Sequence, residues 1–270
     1  MTKILFQGDD FGFTRGVTLG IVDSIDRGVL RNTGLFANMP SAEFAVSFMK
    51  DRPQACFGID FNLVSGPTCA DPKDIPHLVD GEGNFIRSGV RTRDERWQTV
   101  EGRAELFPYE EVKTEIYAQY HRFIELTGRK PEYLHEHSIS SENYRKVIHE
   151  LSIEERIPYS HEIFEKYKMD SAMKKMMGNS KASQKKVFDP AEQLNKDTVA
   201  LFFSLTDDFL KNEYNMFGGH PGYVDADLLE LTTLSLERAK DARAMMSKQI
   251  MDWVKENNVE LITYRDLSMD

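Results

Sequence analysis

The chain alternates short apolar runs with longer stretches in which apolar residues recur every three or four positions. The short runs predict β-strands, and the longer stretches predict amphipathic helices, because a helix brings residues at that spacing to one face. The predicted strands cover residues 4–6, 32–39, 57–63, 131–137, 215–219 and 260–264. The predicted helices cover residues 17–28, 41–49, 112–128, 141–151, 201–210 and 228–257, the last possibly broken near residues 239–243.

This order of strand and helix predicts a parallel sheet with helices outside it. The alternation continues along the whole chain, which favours an α/β barrel or a barrel-like fold over a small open sheet. No linker or internal repeat divides the sequence, so we expect a single domain over residues 1–270.

Two segments depart from the alternation. Residues 68–104 are rich in Pro and Gly and predict a long loop, which in a compact domain is often a lid or a binding loop. Phe85, Trp97 and Phe107 of this region could stack on a sugar ring or pack inward. Residues 166–186 are rich in Lys and Met. This composition favours a solvated surface segment, with a lid or an anion-contacting segment as the alternative.

Composition excludes several classes of protein. The net charge of −10 argues against a general nucleic-acid binder, which needs a basic surface. Two cysteines, Cys56 and Cys69, predict neither a disulfide scaffold nor a zinc cluster. The sequence contains no apolar run long enough to span a membrane and no signal-peptide pattern at residue 1. We therefore expect a cytoplasmic protein that does not associate with membranes.

Polar residues that could perform chemistry follow four of the predicted strands. Parallel strands place their carboxyl ends on one rim, so we expect these side chains to lie close together. Carboxylates and an imidazole form a site for Mg²⁺, Mn²⁺ or Zn²⁺, and the remaining groups could transfer protons. The residues are Asp9, Asp10, Asp60, His135, His137 and His220.

Each of these residues also has a structural interpretation. Asp9 and Asp10 could form a polar turn in which Asp10 caps a helix. The pair His135 and His137 alternates on a strand, a pattern that is more often structural than ligating. His220 could serve the conformation of its glycine-rich turn. Asp60 interrupts an apolar strand, where an unpaired carboxylate is costly, so it either caps a backbone group or meets a cation. We favour the cation.

Taken together, the motifs resemble the YdjC-like carbohydrate deacetylase family, which includes the chitooligosaccharide deacetylases. The family's Asn-Ala-Asp-Asp-Phe-Gly resembles Gly8-Asp9-Asp10-Phe11-Gly12 here. The likeness continues in order through most of the chain. Its further segments are Gly20-Ile21, Thr33 to Met39, Gly58 to Leu63 with Gly66-Pro67, Gly128 to Pro131, His220-Pro221-Gly222 and Tyr264-Arg265-Asp266.

The resemblance implies a distorted, TIM-barrel-like (β/α) barrel related to the NodB deacetylases. It also implies one divalent metal ion and the removal of acetyl groups from N-acetylated sugars. Carried over by position, Asp10 and His137 would be metal ligands. Asp9 would be the general base and His220 the general acid.

The sequence departs from the family pattern at two positions. Asp60 stands where the family has histidine, and His135 replaces the family's aspartate, while later histidines of that motif are lost. Asp60 can still bind a metal, which would complete a ligand set of Asp10, Asp60 and His137. Its harder oxygen shifts the expected metal from Zn²⁺ towards Mg²⁺, with Mn²⁺ or Zn²⁺ as alternatives.

The leading expectation is therefore metal-assisted hydrolysis of the acetamide of an amino sugar or chitooligosaccharide, possibly phosphorylated. The expected partner is a small carbohydrate, with a homodimer possible and no nucleic acid. A second hypothesis is a non-catalytic sugar- or metabolite-binding barrel with an altered metal site. A third is a phosphoacceptor domain that uses Asp60, with Lys130 beside its pocket, although such domains end near 120 residues.

Overall fold

A six-stranded parallel sheet forms the centre of the computed structural model, which describes residues 1–169 and 188–269. Five strands pair in the order β4-β3-β2-β1-β5, and β6 pairs with the first residues of β1. The predicted parallel α/β fold is confirmed. The strands are β1 (Lys3–Phe11), β2 (Asn32–Leu35), β3 (Cys56–Phe61), β4 (Leu134–Glu136), β5 (Tyr214–Gly219) and β6 (Glu260–Ile262).

Helices connect the strands and cover the sheet. They are α1 (Arg15–Arg27), α2 (Ala42–Val46), α3 (Ser88–Arg91), α4 (Val100–Leu106), α5 (Tyr109–Thr127), α6 (Glu142–Glu155), α7 (Ser160–Lys166), α8 (Pro190–Asn195), α9 (Thr198–Lys211), α10 (Ala226–Leu231), α11 (Glu237–Met245) and α12 (Lys248–Glu256). Short 3₁₀ turns occur at Pro72–Asp74, Glu95–Gln98 and Tyr264–Asp266. In the part of the chain that the structure describes, no helix has the length and apolar character needed to cross a membrane.

Both faces of the sheet are buried, which explains why its strands read as continuous apolar runs rather than as alternating ones. Ile4 and Phe6 of β1 belong to the large core between the sheet and its helices. Leu5 points to the other face, where a smaller core includes Tyr133 and Tyr264. The two tyrosine rings stack there at 4.0 Å between centroids. Alternate residues of β1 therefore serve two different cores.

The region predicted as a long loop is more ordered than its composition indicated. Residues 68–104 contain α3, two 3₁₀ turns and the start of α4. The buried Arg91 guanidinium holds them together by donating to the backbone carbonyls of His77 and Leu106. Phe85 and Phe107 are 2% and 1% exposed, so both pack inward rather than towards a ligand.

The predicted long helix over residues 228–257 is three helices, α10, α11 and α12. The break expected near residues 239–243 is wrong, because that segment lies inside α11. The side chain of Gln193 in α8 accepts the backbone N–H groups of Ser235, Leu236 and Glu237. These hydrogen bonds fix the backbone at the start of α11. Gln193 is more than 40 positions away from Ser235 in the chain.

Of the Lys- and Met-rich segment predicted at residues 166–186, only residues 166–169 are among the described residues, and the rest lies outside them. Lys166, the last residue of α7, donates a hydrogen bond to the backbone carbonyl of Ser268.

A buried carboxylate on α5 fastens the segment that follows β3. Glu115 is fully buried and accepts the backbone N–H groups of Cys69 and Ala70. One turn later, Gln119 donates to Glu115 and exchanges two hydrogen bonds with the backbone of Asn62. Burial raises the pKa of Glu115 to about 7, although these hydrogen bonds oppose the rise.

This raised pKa predicts a pH-dependent stability. Glu115 holds its proton more tightly in the folded protein than in the unfolded chain, whose pKa is 4.5. The free energy of unfolding should therefore fall as the pH rises from 4.5 to 7, by up to about 3 kcal/mol from this group. Urea unfolding across this range should show the decrease in the native chain and a smaller one in Glu115→Gln. Equal slopes in the two proteins would contradict it.

Candidate metal centre and active site

The carboxylate pair at the end of β1 adopts an irregular backbone. The pairing of β1 with β2 shifts register between Gly8 and Phe11, and Asp10 has a φ of 73°. Aspartate is among the few residues that adopt this left-handed conformation with little strain. On a regular strand, Asp9 and Asp10 would point to opposite faces. Here each instead contacts a histidine of the β4 segment.

Asp60 lies at the centre of the acidic cluster. Its side chain is fully buried, and its Oδ2 accepts the backbone N–H of Asp10 at 2.8 Å. Its Oδ1 is buried and has no hydrogen-bond partner among the described residues. Burial raises the pKa of Asp60 well above its usual value, and the nearby charges of Asp9 and Asp10 add to the rise. One oxygen thus caps a backbone group, whereas the other is available to a cation.

Asp9, Asp60 and His135 each offer a ligand atom within 4.8 Å of the other two. His135 and Asp60 are partners in the pairing of β3 with β4. The Nδ1 of His135 is 2.7 Å from Ser160 Oγ, and its Nε2 faces Asp9 Oδ2 at 3.9 Å. Two carboxylates and an imidazole with one nitrogen fixed by a hydrogen bond form a donor set that fits a divalent cation.

A chain of hydrogen bonds from Tyr264 through Gln7 orients the Asp9 carboxylate. Gln7 donates to Asp9 Oδ1 at 2.7 Å, and the Tyr264 hydroxyl donates to Gln7 at 2.5 Å. Tyr264 is fully buried, so this chain begins in the smaller core of the sheet. The core therefore determines where the Asp9 carboxylate points.

Asp10 belongs to a second, adjoining group. Its Oδ2 accepts a hydrogen bond from the buried guanidinium of Arg238 at 2.6 Å, and its Oδ1 lies 2.9 Å from His137 Nδ1. Burial alone would raise the pKa of Asp10, but the charges of His137 and Arg238 outweigh it and hold that pKa well below its usual value. Phe36 packs edge-on against the His137 ring at 4.6 Å. Asp10 is thus an ionised carboxylate that already contacts a guanidinium and an imidazole.

His220 reaches the same edge from the end of β5. Its backbone N–H donates to Asp241 of α11 at 3.0 Å. Asp241 is fully buried and also accepts hydrogen bonds from Lys196 and Thr198. Burial lowers the pKa of His220, although the charge of Asp10 opposes this, so the imidazole is mainly neutral at pH 7. Asp241 thereby positions the turn that carries His220.

The structure places Asp9, Asp10 and His135 beside Asp60, and His137 contacts Asp10. His220 lies at the same edge, where the charge of Asp10 acts on its pKa. The structure also assigns a place to His135, whose role the motif left open. The compact donor set of Asp9, Asp60 and His135 shares only Asp60 with the predicted ligands Asp10, Asp60 and His137. No observation here tests which set binds a metal ion or which residues transfer protons, so these roles stay predictions.

Sequence reasoning missed the residues that hold this cluster in place. Gln7, Ser160 and the pair Arg238 and Asp241 come from three separate parts of the chain and follow no motif. For Arg238 the only signal was a charged residue in an amphipathic stretch, which ordinarily indicates an exposed position. Lys130, which the phosphoacceptor hypothesis placed beside Asp60, pairs instead with Glu155 at 2.5 Å.

These features define a parallel α/β protein with acidic and imidazole side chains gathered where its strands end. The sequence model of the YdjC-like protein family matches residues 3–256, and the chain belongs to that family.

Several named proteins are similar over nearly their whole length. Carbohydrate deacetylase 2 of Listeria innocua is 31% identical, with 98% of each chain covered. The chitooligosaccharide deacetylase of Proteus mirabilis is 25% identical, again with 98% of each chain covered. Among solved structures, an Enterococcus faecalis protein whose name proposes cellobiose-phosphate cleavage has a TM-score of 0.77 at 20% identity, with 99% of each chain covered. This last likeness supports the fold.

The position of Asp60 depends on the absence of a side chain at Gly34 of β2. A Cβ built at Gly34 would lie 1.9 Å from Asp60 Oδ1, which is a severe clash. Gly34→Ala should therefore displace the carboxylate and weaken Mg²⁺ or Mn²⁺ binding by at least about tenfold. Isothermal titration calorimetry measures the affinity, and circular dichroism checks that the variant folds.

The matched control is Gly81→Ala, because a Cβ at Gly81 meets no atom within 4 Å. It should leave metal affinity unchanged. If a folded Gly34→Ala protein binds metal as tightly as the native chain, Asp60 does not ligate the cation in this orientation.

Proposed function

We propose that this protein is a metal-dependent carbohydrate deacetylase that hydrolyses the acetamide of N-acetylated amino sugars. The observation that carries the proposal concerns Oδ1 of Asp60, beside Asp9 and His135. This oxygen is buried and has no hydrogen-bond partner among the described residues. It lies at the carboxyl edge of a parallel sheet in a chain whose similar proteins are named carbohydrate deacetylases. An uncompensated carboxylate in such a place is costly, and a divalent cation offsets that cost.

Two ligand arrangements are consistent with the residues present, and both include Asp60. The distances support Asp9 and His135 as the other protein ligands. The motif supports Asp10 and His137, which in the structure contact each other. Both sets contain two carboxylates and one imidazole, and this oxygen-rich character favours Mg²⁺ or Mn²⁺ over Zn²⁺.

A bound divalent cation supplies Lewis acidity, which polarises the amide carbonyl and lowers the pKa of water. In the motif-based assignment, Asp9 accepts the proton of the attacking water, and Gln7 holds the carboxylate in place for this transfer. His220 delivers a proton to the departing amine, so that water and amide become acetate and amino sugar. Because the His220 imidazole is mainly neutral at pH 7, it must be protonated before it can act as the acid.

Arg238 supports this chemistry indirectly, through its contact with Asp10. Its guanidinium neutralises Asp10 in a buried pair, which reduces the negative charge that Asp9 and Asp60 experience. The pair favours the ionised form of Asp10, whereas burial and the nearby charges of Asp9 and Asp10 raise the pKa of Asp60. The pair also joins α11 to the end of β1.

The proposal predicts release of free acetate from N-acetylglucosamine, chitobiose or longer chitooligosaccharides in the presence of Mg²⁺, Mn²⁺ or Zn²⁺. Phosphorylated forms belong in the same panel, because a structurally similar protein is named for a sugar phosphate. Acetate is measured enzymatically, and metal binding is measured by calorimetry on the same preparation. If metal is bound and no sugar of the panel yields acetate, the deacetylase proposal fails. Sugar binding without metal would then favour a binding protein.

The variants Asp9→Asn and Asp10→Asn distinguish the two ligand arrangements. If Asp9 is the general base, Asp9→Asn should lower turnover by about 10²- to 10⁴-fold while metal affinity is retained. If Asp9 is a ligand, the same variant should lose metal affinity, and Asp10→Asn should retain it. Asp60→Asn should lose both metal binding and turnover in either case. Retention of metal affinity by Asp60→Asn would contradict both arrangements.

A further inference from the structure

A concave site lies away from the acidic edge. It is a groove of about 790 Å³ between the end of α1, the junction of α8 and α9, and the helices α11 and α12. We call it the basic groove because five of its lining side chains are cationic: Arg27, Lys196, Lys240, Arg243 and Lys248. Its volume falls within the range of small-molecule sites.

The basic groove extends towards the opposite end of the sheet from Asp60. Helix α1 begins after the carboxyl end of β1 and returns along the sheet, so Arg27 in its last turn is near the amino ends of the strands. Helix α11 runs the same way: Arg238 reaches Asp10, whereas the carbonyl of Met245 accepts the N–H of Val29, which precedes β2. Arg243 lies five residues beyond Arg238, about 7.5 Å along the helix axis.

The charge of the groove contrasts with that of the whole chain. The protein has a net charge of −10, yet Asp197 is the only acidic residue among those that line the groove in the described part of the chain. The Asp197 carboxylate accepts the backbone N–H of Ala200 as the cap of α9. It is therefore already engaged as a helix cap.

Two of the five groove cations have no counter-ion among the described residues, whereas Lys196 pairs with Glu237 and Asp241. Within residues 1–169 and 188–269, Lys240 and Arg243 form no ion pair or hydrogen bond through their side chains. They are three residues apart on α11, so they project from the same side of the helix and repel each other. Arg27 is only loosely paired, at 3.6 Å from Asp23, and Lys248 pairs with Asp252 on the exposed surface. An anion between these side chains would relieve the repulsion.

The neutral residues of the groove indicate the rest of the ligand. Asn195, Ser247 and Gln249 line it with side chains that can hydrogen-bond to hydroxyl groups. Guanidinium and ammonium groups together are typical of phosphate recognition, since arginine binds two phosphate oxygens at once. We propose that the basic groove binds a small phosphate-bearing molecule, either a sugar phosphate or inorganic phosphate, at a site separate from the proposed catalytic centre.

Isothermal titration calorimetry tests this proposal without relying on deacetylase activity. The probes are inorganic phosphate, glucose 6-phosphate and uncharged N-acetylglucosamine, at about 150 mM KCl so that nonspecific attraction is screened. We expect at least one of the two phosphates to bind with a stoichiometry of one and a Kd below about 1 mM. The double variant Lys240→Gln/Arg243→Gln should weaken this binding at least tenfold. The phosphate that binds more tightly identifies the source of the anion.

Two controls separate the groove from the catalytic centre and from overall charge. Lys73→Gln/Arg93→Gln removes the same charge from residues that do not line the groove, and it should leave the affinity unchanged. Asp60→Asn should also leave it unchanged, because Asp60 lies at the other site. Circular dichroism and thermal unfolding confirm that each variant folds.

Three results would overturn the proposal. The first is that neither phosphate binds more tightly than about 1 mM. The second is an equal loss of affinity in Lys73→Gln/Arg93→Gln or in Asp60→Asn. The third is that only a polyanion such as RNA, or vesicles containing phosphatidylserine, binds through Lys240 and Arg243, because this would assign the groove to a macromolecular surface.

Discussion

The constraint on which the site depends is the full burial of Asp60, whose Oδ1 has no hydrogen-bond partner among the described residues. Asp60 is held between Asp9 and Asp10, and its position requires both the bare backbone of Gly34 and the turned backbone of Asp10. Burial and two like charges both disfavour ionisation of Asp60, as the rise of its pKa shows. The buried guanidinium of Arg238 offsets part of this negative charge by pairing with Asp10. The site is thus maintained in spite of a substantial electrostatic cost, which is typical of functional sites.

The two departures from the pattern implied by the resemblance are neighbours in the sheet. Asp60 and His135 are directly paired between β3 and β4. Their ligand atoms and one from Asp9 lie within 4.8 Å of one another. The two unexpected residues therefore belong to one donor set, and that set fits a divalent cation.

Charge is segregated along the molecule. The carboxyl edge of the sheet concentrates Asp9, Asp10 and Asp60, whereas the basic groove concentrates cations between the outer helices. Helix α11 belongs to both regions. Its Arg238 contacts Asp10 and its Asp241 accepts the backbone N–H of His220, whereas Lys240 and Arg243 line the groove. The two regions carry opposite charge, and α11 contributes charged side chains to both of them.

The sequence by itself determined the parallel α/β class, since apolar runs and helical spacing are local properties of the chain. It also predicted that Asp9, Asp10, Asp60, His135, His137 and His220 would lie on one edge, because parallel strands end together. The tertiary structure decided which groups touch. Whether Asp9 faces His135, and whether Arg238 neutralises Asp10, depends on a register shift in β1 and on the start of α11. Those features arise from contacts between distant residues, such as Gln193 with the backbone of α11, which no local pattern encodes.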